Sequence, residues 1–307
     1  MLGIKTRIKK QIEEFIFNRS IYKIPSFFSD VKKVGVSTLI YKSGLKMTIY
    51  SLSSLFYSLG MTLPVFAVED GTVKESDINL LKKHFSITIL RNKDATKLIE
   101  EKFKFYKAFL RYRLNKKTPF TKYKLDALLF SPFNKTLFLE ADTLFFKKPS
   151  ALDEWFRKKS AQVLFLEHPR AYLAAQERDE PDYTIRVLID IYYRKLVSPS
   201  FNAGLLGIPN RKVINVKLLN EVFQQFERLS YNRSYFAEET SVSIILSGVS
   251  KFKLNYQQYF CPATHGEYLQ MPPRKNIKFV HYIGESKIFY KKDVVDLIKK
   301  TKLFTKL

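Results

Sequence analysis

After Lys33 the sequence alternates between short apolar runs and longer segments whose apolar residues recur every three or four positions. Apolar runs of four to eight residues are typical of buried strands, whereas the periodic segments are typical of helices. The first five segments are a strand over 34–41, a helix over 45–59, a strand over 63–69, a helix over 76–84 and a strand over 87–90. Strands that alternate with helices predict an α/β fold with a mainly parallel central sheet.

The alternation continues along the chain without an internal repeat or a low-complexity linker. We predict further helices over 96–114, 122–129, 152–159, 184–196, 213–229 and 239–246, and further strands over 136–139, 163–167, 203–208 and 277–283. The uncharged stretch 47–68 is long enough to cross a membrane. Its serines, Gly60, Pro64 and helical spacing instead indicate an amphipathic helix that runs into a strand.

The sharpest local feature is the segment 136–145, in which an apolar strand is followed at once by Glu140 and Asp142. In an open α/β sheet, ligands bind beyond the carboxyl ends of the strands, which is where these two acids are expected. Carboxylate oxygens in that place suit a divalent cation. Taken alone, however, such a pair is more often two solvated acids at the end of a strand.

Three other segments accompany the two acids: Lys124–Phe133, Phe201-Asn202-Ala203-Gly204-Leu205 and His281-Tyr282-Ile283-Gly284-Glu285-Ser286-Lys287. Together with Glu140-Ala141-Asp142, they resemble motifs of the GT-A glycosyltransferases in order and rough spacing. The resemblance is to the glycogenin and lipopolysaccharide glycosyltransferase group, known as glycosyltransferase family 8, and it covers roughly residues 35–289. It implies a single GT-A, Rossmann-like domain.

The resemblance implies a metal site made of Glu140, Asp142 and His281. A divalent metal there acts as a Lewis acid that offsets the charge on a departing diphosphate. Carboxylate oxygens combined with one imidazole nitrogen favour Mn²⁺ over Mg²⁺, with Mg²⁺ as the second choice. Glu140 stands where the family has Asp. Its longer side chain is expected to contact the ion, the donor ribose or a metal-bound water. Without the neighbouring motif residues, His281 would be interpreted as a satisfied strand histidine.

The same resemblance assigns residues to the donor, a nucleotide diphosphate sugar. Lys287 is expected to pair with the diphosphate, and Gly284 to let the backbone approach it closely. Lys124, in the helix before the metal motif, is also assigned to donor binding. Asn202 offers an amide to the sugar hydroxyls, and Gly204 leaves room beside it.

Glu238 and Glu239 fall where the family has an Asp-Gln pair at the start of a helix. The resemblance places them beside the anomeric carbon and makes them, with Lys287, the catalytic candidates. Glu239 is assigned to act there by electrostatics or as a nucleophile. Acids at a helix N-terminus are also favourable simply because they interact with the helix dipole.

The implied function is transfer of a sugar from the nucleotide diphosphate sugar to a hydroxyl of a glycan or lipid-linked acceptor, with retention of configuration. One alternative is a basic nucleic-acid-binding protein, since 53 Lys and Arg against 29 Asp and Glu give a net charge of +24. Aromatic residues are interleaved with basic ones over 102–113, as in proteins that stack bases. We nevertheless expect no nucleic acid. A second alternative is a GT-A fold that has lost activity through the change at Glu140.

The two ends differ from the middle, which divides the chain into a basic N-terminal helical segment 1–34, the GT-A domain 35–289 and a basic C-terminal helix 290–307. Both ends combine lysines with spaced apolar residues, which suits either attachment to an anionic membrane surface or capping helices with a solvated face. The lone Cys261 excludes an intrachain disulfide framework and favours a reducing compartment. We therefore expect a cytoplasmic protein, with the inner face of a membrane as a further site.

Overall fold

A computed structural model defines residues 2–157, 161–167, 196–198 and 201–301. Its helices are α1 (Leu2–Ser20), α2 (Leu45–Leu59), α3 (Glu75–His84), α4 (Asn92–Lys102), α5 (Lys107–Leu114), α6 (Tyr123–Leu129), α7 (Ser150–Arg157), α8 (Val216–Arg228), α9 (Ala237–Ile245), α10 (His265–Leu269) and α11 (Tyr290–Lys300). Its strands are β1 (Val34–Ile40), β2 (Val65–Glu69), β3 (Ile87–Leu90), β4 (Lys135–Leu139), β5 (Thr143–Phe145), β6 (Val163–Glu167), β7 (Phe201–Ile208), β8 (Lys251–Lys253), β9 (Tyr259–Phe260) and β10 (Phe279–His281).

The central sheet has the strand order β3-β2-β1-β4-β7-β6-β8. Strands β1 to β4 run parallel to one another, and β6 is parallel to β8. Within the described part of this central sheet, only β7 breaks the pattern, since it is antiparallel to both β4 and β6. The predicted α/β fold with a mainly parallel sheet is confirmed. The carboxyl ends of β1 to β4 therefore meet at one edge of the sheet, where ligands bind in such folds.

Both faces of the central sheet are buried. Along β2, Val65 and Ala67 join one apolar cluster with α2 and α3, while Phe66 and Val68 join a second cluster with α5, α6 and α8. Successive side chains of a strand point to opposite faces, so a strand covered on both sides is apolar at every position. Each large side chain buried in this way contributes about 1.5–3 kcal/mol to stability.

A second, smaller sheet has the order β5-β10-β9. Strand β10 is antiparallel to β5 and pairs His281 with Thr143. The sequence patterns predicted neither β5 nor β9, because strands of three and two residues carry too little periodicity. This sheet positions the C-terminal motif, because it brings His281 to the turn that follows β4.

The predicted helix over 96–114 is wrong, because residues 103–106 separate α4 from α5. The Phe103 N–H donates to the Ile99 carbonyl at 2.9 Å, and the Tyr106 N–H then donates to the Phe103 carbonyl at 2.8 Å. The resulting turn packs the Phe103 ring against Phe109, with ring centroids 5.6 Å apart. Tertiary packing thus overrides local helix propensity. The predicted helix over 184–196 lies, apart from Leu196, outside the described residues.

The uncharged stretch 47–68 forms α2 and β2, as predicted. Its serines hold α2 against the small sheet: Ser54 Oγ accepts from the Phe145 N–H at 3.1 Å, and Ser51 Oγ lies 2.5 Å from Thr143 Oγ1. Helix α2 ends at Gly60, whose φ of 67° is left-handed and favours glycine. Within the part of the chain that the structure describes, no helix combines the length and apolarity needed to cross a membrane.

The two ends of the chain pack against each other through α1 and α11. Phe17 is buried, and its carbonyl accepts from the Tyr50 hydroxyl at 2.6 Å, which ties α1 to α2. The Tyr290 ring packs edge-on against Phe17. An ion pair between Lys291 and Glu14 closes the contact at the surface. Helices α1 and α11 therefore extend the core of the domain.

Candidate active site

The turn between β4 and β5 presents Glu140 and Asp142 at the carboxyl edge of the central sheet. The Glu140 N–H donates to the Gly204 carbonyl at 3.0 Å, and the Tyr282 N–H donates to the Asp142 carbonyl at 2.8 Å. The Thr143 hydroxyl also donates to the Glu140 carbonyl, at 2.9 Å. Strand β7 and the segment after β10 therefore fix the backbone of this turn from both sides.

His281 completes a cluster with the two acids. Its Nε2 lies 3.1 Å from Glu140 Oε2 and 3.3 Å from Asp142 Oδ1. One ligand atom from each of the three residues falls within 4.8 Å of the others. Two carboxylate oxygens and one imidazole nitrogen at this separation fit a divalent cation. The structure thus brings together the three residues that the sequence predicted as metal ligands.

The far side of the His281 ring is held by Asn202, whose Oδ1 lies 2.8 Å from His281 Nδ1. Cys261 Sγ lies 3.4 Å from the same nitrogen. Because Asn202 Oδ1 accepts from the Nδ1–H, Nε2 is turned towards the carboxylates, which is how outer partners orient metal-binding histidines. A Cβ at Gly204 would lie 2.1 Å from Nδ1, so the ring occupies the space that any larger residue needs. Sequence analysis assigned Asn202 to sugar hydroxyls and missed its contact with His281.

Lys124 lies between carboxylates that come from different elements. Its Nζ pairs with Glu140 and lies 3.3 Å from Glu238 Oε2. Burial opposes the charged ammonium, but Glu140 and Glu238 raise the pKa of Lys124 well above its ordinary value. Lys124 is therefore a buried cation that neutralises the acids around it.

Glu140 and Asp142, the two acids of this side-chain cluster, are held in their charged forms. Burial alone would raise the pKa of Glu140, but Lys124 and His281 lower it well below its ordinary value. The pKa of Asp142 is lowered in the same way, against burial, by His281 and Lys287. Both groups are therefore ionised at neutral pH, as metal ligands must be.

Lys287 reaches the cluster from the short helical segment Gly284–Phe289, and its Nζ lies 2.8 Å from Asp142 Oδ2. Nearly half of its side chain is exposed, so the ammonium is also open to the cleft. Gly284 begins this segment with a φ of +53°, and a Cβ there would lie 2.8 Å from the Ala263 carbonyl oxygen. Glycine is needed here for the turn that aims Lys287 at the site.

Glu238 and Glu239 both lie at the start of α9 but have different environments. Glu239 Oε1 accepts from the Ala203 N–H at 2.7 Å, which ties α9 to β7. Glu238 is fully buried beside Lys124, and burial raises its pKa to about 7. Burial thus favours the neutral form of Glu238, while its neighbour Glu239 anchors the helix.

A small cavity of about 30 Å³ lies over the cluster. Its walls are Leu39, Tyr41, Phe120, Thr121, Lys124, Glu140, Ala141, Asp142, Tyr235 and Lys287. This volume holds a water molecule, whereas pockets for small-molecule ligands typically have volumes of about 300–1,000 Å³. The aromatic walls were not predicted from the sequence. Tyr41 could have been predicted as part of the site, because it follows β1 at the same sheet edge as Glu140.

Comparison with known structures supports the fold. The structure is similar to the galactosyltransferase LgtC solved in complex with donor and acceptor sugar analogs, with a TM-score of 0.56 and 14% identity over 87% of this chain and 95% of that chain. An active-site mutant of LgtC gives 0.55 at 15% identity over the same shares. The apo form of mouse xyloside xylosyltransferase 1 gives 0.50 at 14% identity, over 81% of this chain and 97% of that chain. No family model and no curated protein matches the chain. The predicted GT-A fold is therefore confirmed.

Proposed function

We propose that this protein is a metal-dependent glycosyltransferase that moves a sugar from a nucleotide diphosphate sugar to a hydroxyl of a glycan or lipid-linked acceptor. The observation that carries the proposal is the convergence of Glu140, Asp142, His281 and Lys287 at the carboxyl edge of a GT-A sheet. The similar solved structures are a galactosyltransferase and a xylosyltransferase, which is consistent with glycosyl transfer.

Glu140, Asp142 and His281 would hold the metal, with Mn²⁺ preferred and Mg²⁺ as the alternative. When bound, the ion supplies a Lewis acid that offsets the charge of the diphosphate. Lys287 exchanges its contact with Asp142 for one with the diphosphate, and this charge-assisted bond strengthens as the leaving group becomes more negative. Gly284 keeps the backbone close enough for that exchange.

Glu238 and Glu239 act on the sugar side of the cleft. Glu238 lies beside the anomeric carbon, as the family resemblance implies, and Lys124 keeps its carboxyl in position. Glu239 faces the anomeric carbon. It either stabilises positive charge there electrostatically or attacks as a nucleophile, and the sugar is transferred with retention of configuration. Asn202 and Gly204 contribute to the donor side chiefly by holding His281 in place.

Nucleic-acid binding is the weaker candidate. Within the basic aromatic stretch 102–113, Phe109 and Tyr112 are buried in the core and contact Phe223 of α8. Among the described aromatic residues of that stretch, only Phe105 is largely exposed, at 79%. A surface that stacks successive bases needs several exposed rings. The aromatic pattern is therefore explained by core packing.

We also propose that segments 1–34 and 290–307 attach the domain 35–289 to an anionic membrane surface at the cytoplasmic face. On α1, Ile12 and Phe15 are 52% and 61% exposed beside the exposed Lys9 and Lys10. Interfacial helices combine apolar and lysine-rich surfaces in this way. Each basic residue near an anionic leaflet contributes about 1 kcal/mol of attraction. A lipid-linked acceptor would then be concentrated near the cleft.

A thermal-shift panel of nucleotide diphosphate sugars with Mn²⁺ tests the main proposal. The correct donor at 100 times its dissociation constant stabilises the fold by about 2.7 kcal/mol, and EDTA removes the effect. Stabilisation of wild type but not of Asp142→Asn supports the proposal. Failure of every donor to shift wild type contradicts it. Binding of a donor that is never turned over supports the alternative of a fold that has lost activity.

A further inference from the structure

A second cavity, of about 420 Å³, lies at the same edge of the central sheet but beyond the carboxyl ends of β2 and β3. It is lined by Asp70, Asn92, Thr96, Arg113, Leu114, Lys116, Thr118, Phe120, Lys122 and Tyr123. Phe120 also lines the active-site cavity, and its ring lies 5.4 Å from that of Tyr41. The two cavities are therefore neighbours, and they share one aromatic wall.

Lys122 is the unusual residue of this second cavity. It is only 4% exposed, and its Nζ donates to the Asn115 carbonyl at 2.6 Å. Among the described residues, no carboxylate lies within 4.0 Å of that nitrogen. Burial and the nearby Arg113 lower the pKa of Lys122 to about 8, against a smaller opposing effect of Asp126. Because an ammonium has three donors, this one has capacity for an anion that no described side chain supplies.

Two further charged side chains line the cavity and have partners of their own, but among the described residues only Arg113 of these two is paired with an opposite charge. Arg113 is neutralised by Asp126, with Nε 2.8 Å from Oδ2, and its guanidinium lies 4.2 Å above the Tyr123 ring. Asp70 Oδ1 accepts from the backbone N–H and the hydroxyl of Thr72, at 3.0 and 2.6 Å. The cationic side chains that remain available are the buried Lys122 and Lys116 at the exposed rim.

Two neutral donors complete the arrangement. The hydroxyl of Thr118 is buried and has no hydrogen-bond partner among the described residues. The hydroxyl of Tyr123 accepts from Asn92 Nδ2 at 3.4 Å and donates to no described group. A buried hydroxyl without a partner is costly, so such a group is usually satisfied by a ligand or a water molecule.

We propose that this cavity binds a phosphate group. Lys122 and Lys116 supply the charge, and Thr118 and Tyr123 donate hydrogen bonds to the phosphate oxygens. The group comes either from a free sugar phosphate or from a phosphate carried on a larger acceptor, since both present the same oxygens. The proposal does not depend on the glycosyltransferase activity, because Glu140, Asp142 and His281 do not line this cavity.

The test is a calorimetric titration of the full chain with inorganic phosphate and, separately, with a hexose phosphate. Lys122→Met should weaken binding of both probes about tenfold or more, the usual effect of removing a hydrogen bond to a charged group. Lys116→Met should weaken it by a smaller factor, about threefold. Lys117→Met is the matched control, because Lys117 is the exposed neighbour of Lys116 and does not line the cavity. It should bind both probes like wild type.

Two further comparisons locate the site and identify the source of the phosphate. Lys287→Ala should retain the phosphate binding that Lys122→Met weakens, whereas loss of that binding would move the phosphate to the active-site cleft and overturn the proposal. Tighter binding of the hexose phosphate than of inorganic phosphate supports a free sugar phosphate as the source. Equal binding shows that the site recognises the phosphate group alone, as expected for a phosphate carried on a larger acceptor. No binding of either probe, or equal binding by the Lys116→Met and Lys117→Met variants, also overturns the proposal. If Lys122→Met does not fold, the comparison of Lys116→Met with Lys117→Met still tests whether this cavity binds phosphate.

Discussion

The active-site cluster and the pair of terminal helices use charge in opposite ways. In the cluster, the buried Lys124 contacts Glu140 and Glu238, and Lys287 contacts Asp142. On α1 and α11 the exposed lysines have no such buried partner among the described residues; on α1 they lie beside the exposed Ile12 and Phe15, whereas the apolar residues of α11 are mostly buried. Paired, buried charges fix geometry but are costly to disturb, whereas exposed charges contribute little to the fold. The same excess of lysine therefore supports the site in one region and surface contacts in the other.

Removal of the central cation should give the largest effect. Lys124→Met leaves Glu140 and Glu238 without their buried partner, and breaking such a pair costs about 3–5 kcal/mol. At roughly 2–4 °C per kcal/mol, the melting temperature should fall by about 10 °C. Calorimetry checks this against Lys93→Met, an exposed lysine on α4. Equal melting temperatures for the two variants would mean that the cluster is not held by its charges.

The second prediction concerns pH and Glu238, whose pKa is raised from its ordinary value to about 7. Between about pH 4.5 and 7 the folded protein binds a proton that the unfolded chain releases, so this group's stabilisation is lost as the pH rises. Wild type should lose on the order of 3 kcal/mol more than Glu238→Gln across this range. Urea unfolding from pH 4.5 to 8 measures the difference. The exposed Glu100→Gln should follow wild type, and identical pH profiles for wild type and Glu238→Gln would refute the assigned environment.

The third prediction tests how His281 is positioned. Asn202→Ala removes the acceptor at Nδ1 and should weaken Mn²⁺ binding about 10–100-fold, the usual effect of losing an outer partner of a metal ligand. Asn202→Asp keeps an oxygen at that position and should restore most of the affinity. Electron paramagnetic resonance of free Mn²⁺ gives both constants without a turnover assay. If both variants bind Mn²⁺ equally, Asn202 does not orient the ring.

The smallest effect on the fold is expected at the terminal helices. Replacing Lys9, Lys10, Lys299 and Lys300 with Gln should change stability by no more than about 0.5 kcal/mol, because all four are exposed. Cosedimentation with anionic vesicles should nevertheless fall, and high salt should release wild type in the same way. Equal sedimentation with neutral and anionic vesicles would exclude the membrane role. A large loss of stability in this four-lysine variant would contradict the claim that the exposed charges of the terminal helices contribute little to the fold.

The sequence predicted the parts of the fold that depend on local pattern. Helix 45–59 and strand 87–90 have the predicted bounds; the periodic apolar residues of the helix are buried, and the apolar residues of the strand are partly buried. Glu140 and Asp142 were placed correctly beyond a strand, because the carboxyl edge of a parallel sheet follows from chain order. The break in helix 96–114 was not predicted, because it depends on contacts between aromatic rings.

The candidate site was only partly accessible to sequence reasoning. His281 lies 139 residues after Asp142 and reaches it through a sheet whose strands have two or three residues, so no local pattern encodes that contact. Family resemblance supplied it instead. The contact of Asn202 with His281, the aromatic walls of the cleft and the buried Lys122 depend on tertiary packing. Their residue types alone carry no signal of these roles.

The most direct test of the account is release of nucleoside diphosphate from the donor identified by the thermal-shift panel. Wild type should release it with Mn²⁺, lose activity in EDTA and regain it when Mn²⁺ is restored. Asp142→Asn should keep the fold and lose at least about 100-fold in turnover, because an amide is a poorer ligand for a hard cation than a carboxylate. The exposed Asp94→Asn should match wild type. Turnover that survives EDTA, or that is unchanged in Asp142→Asn, would contradict the proposed metal-dependent transfer.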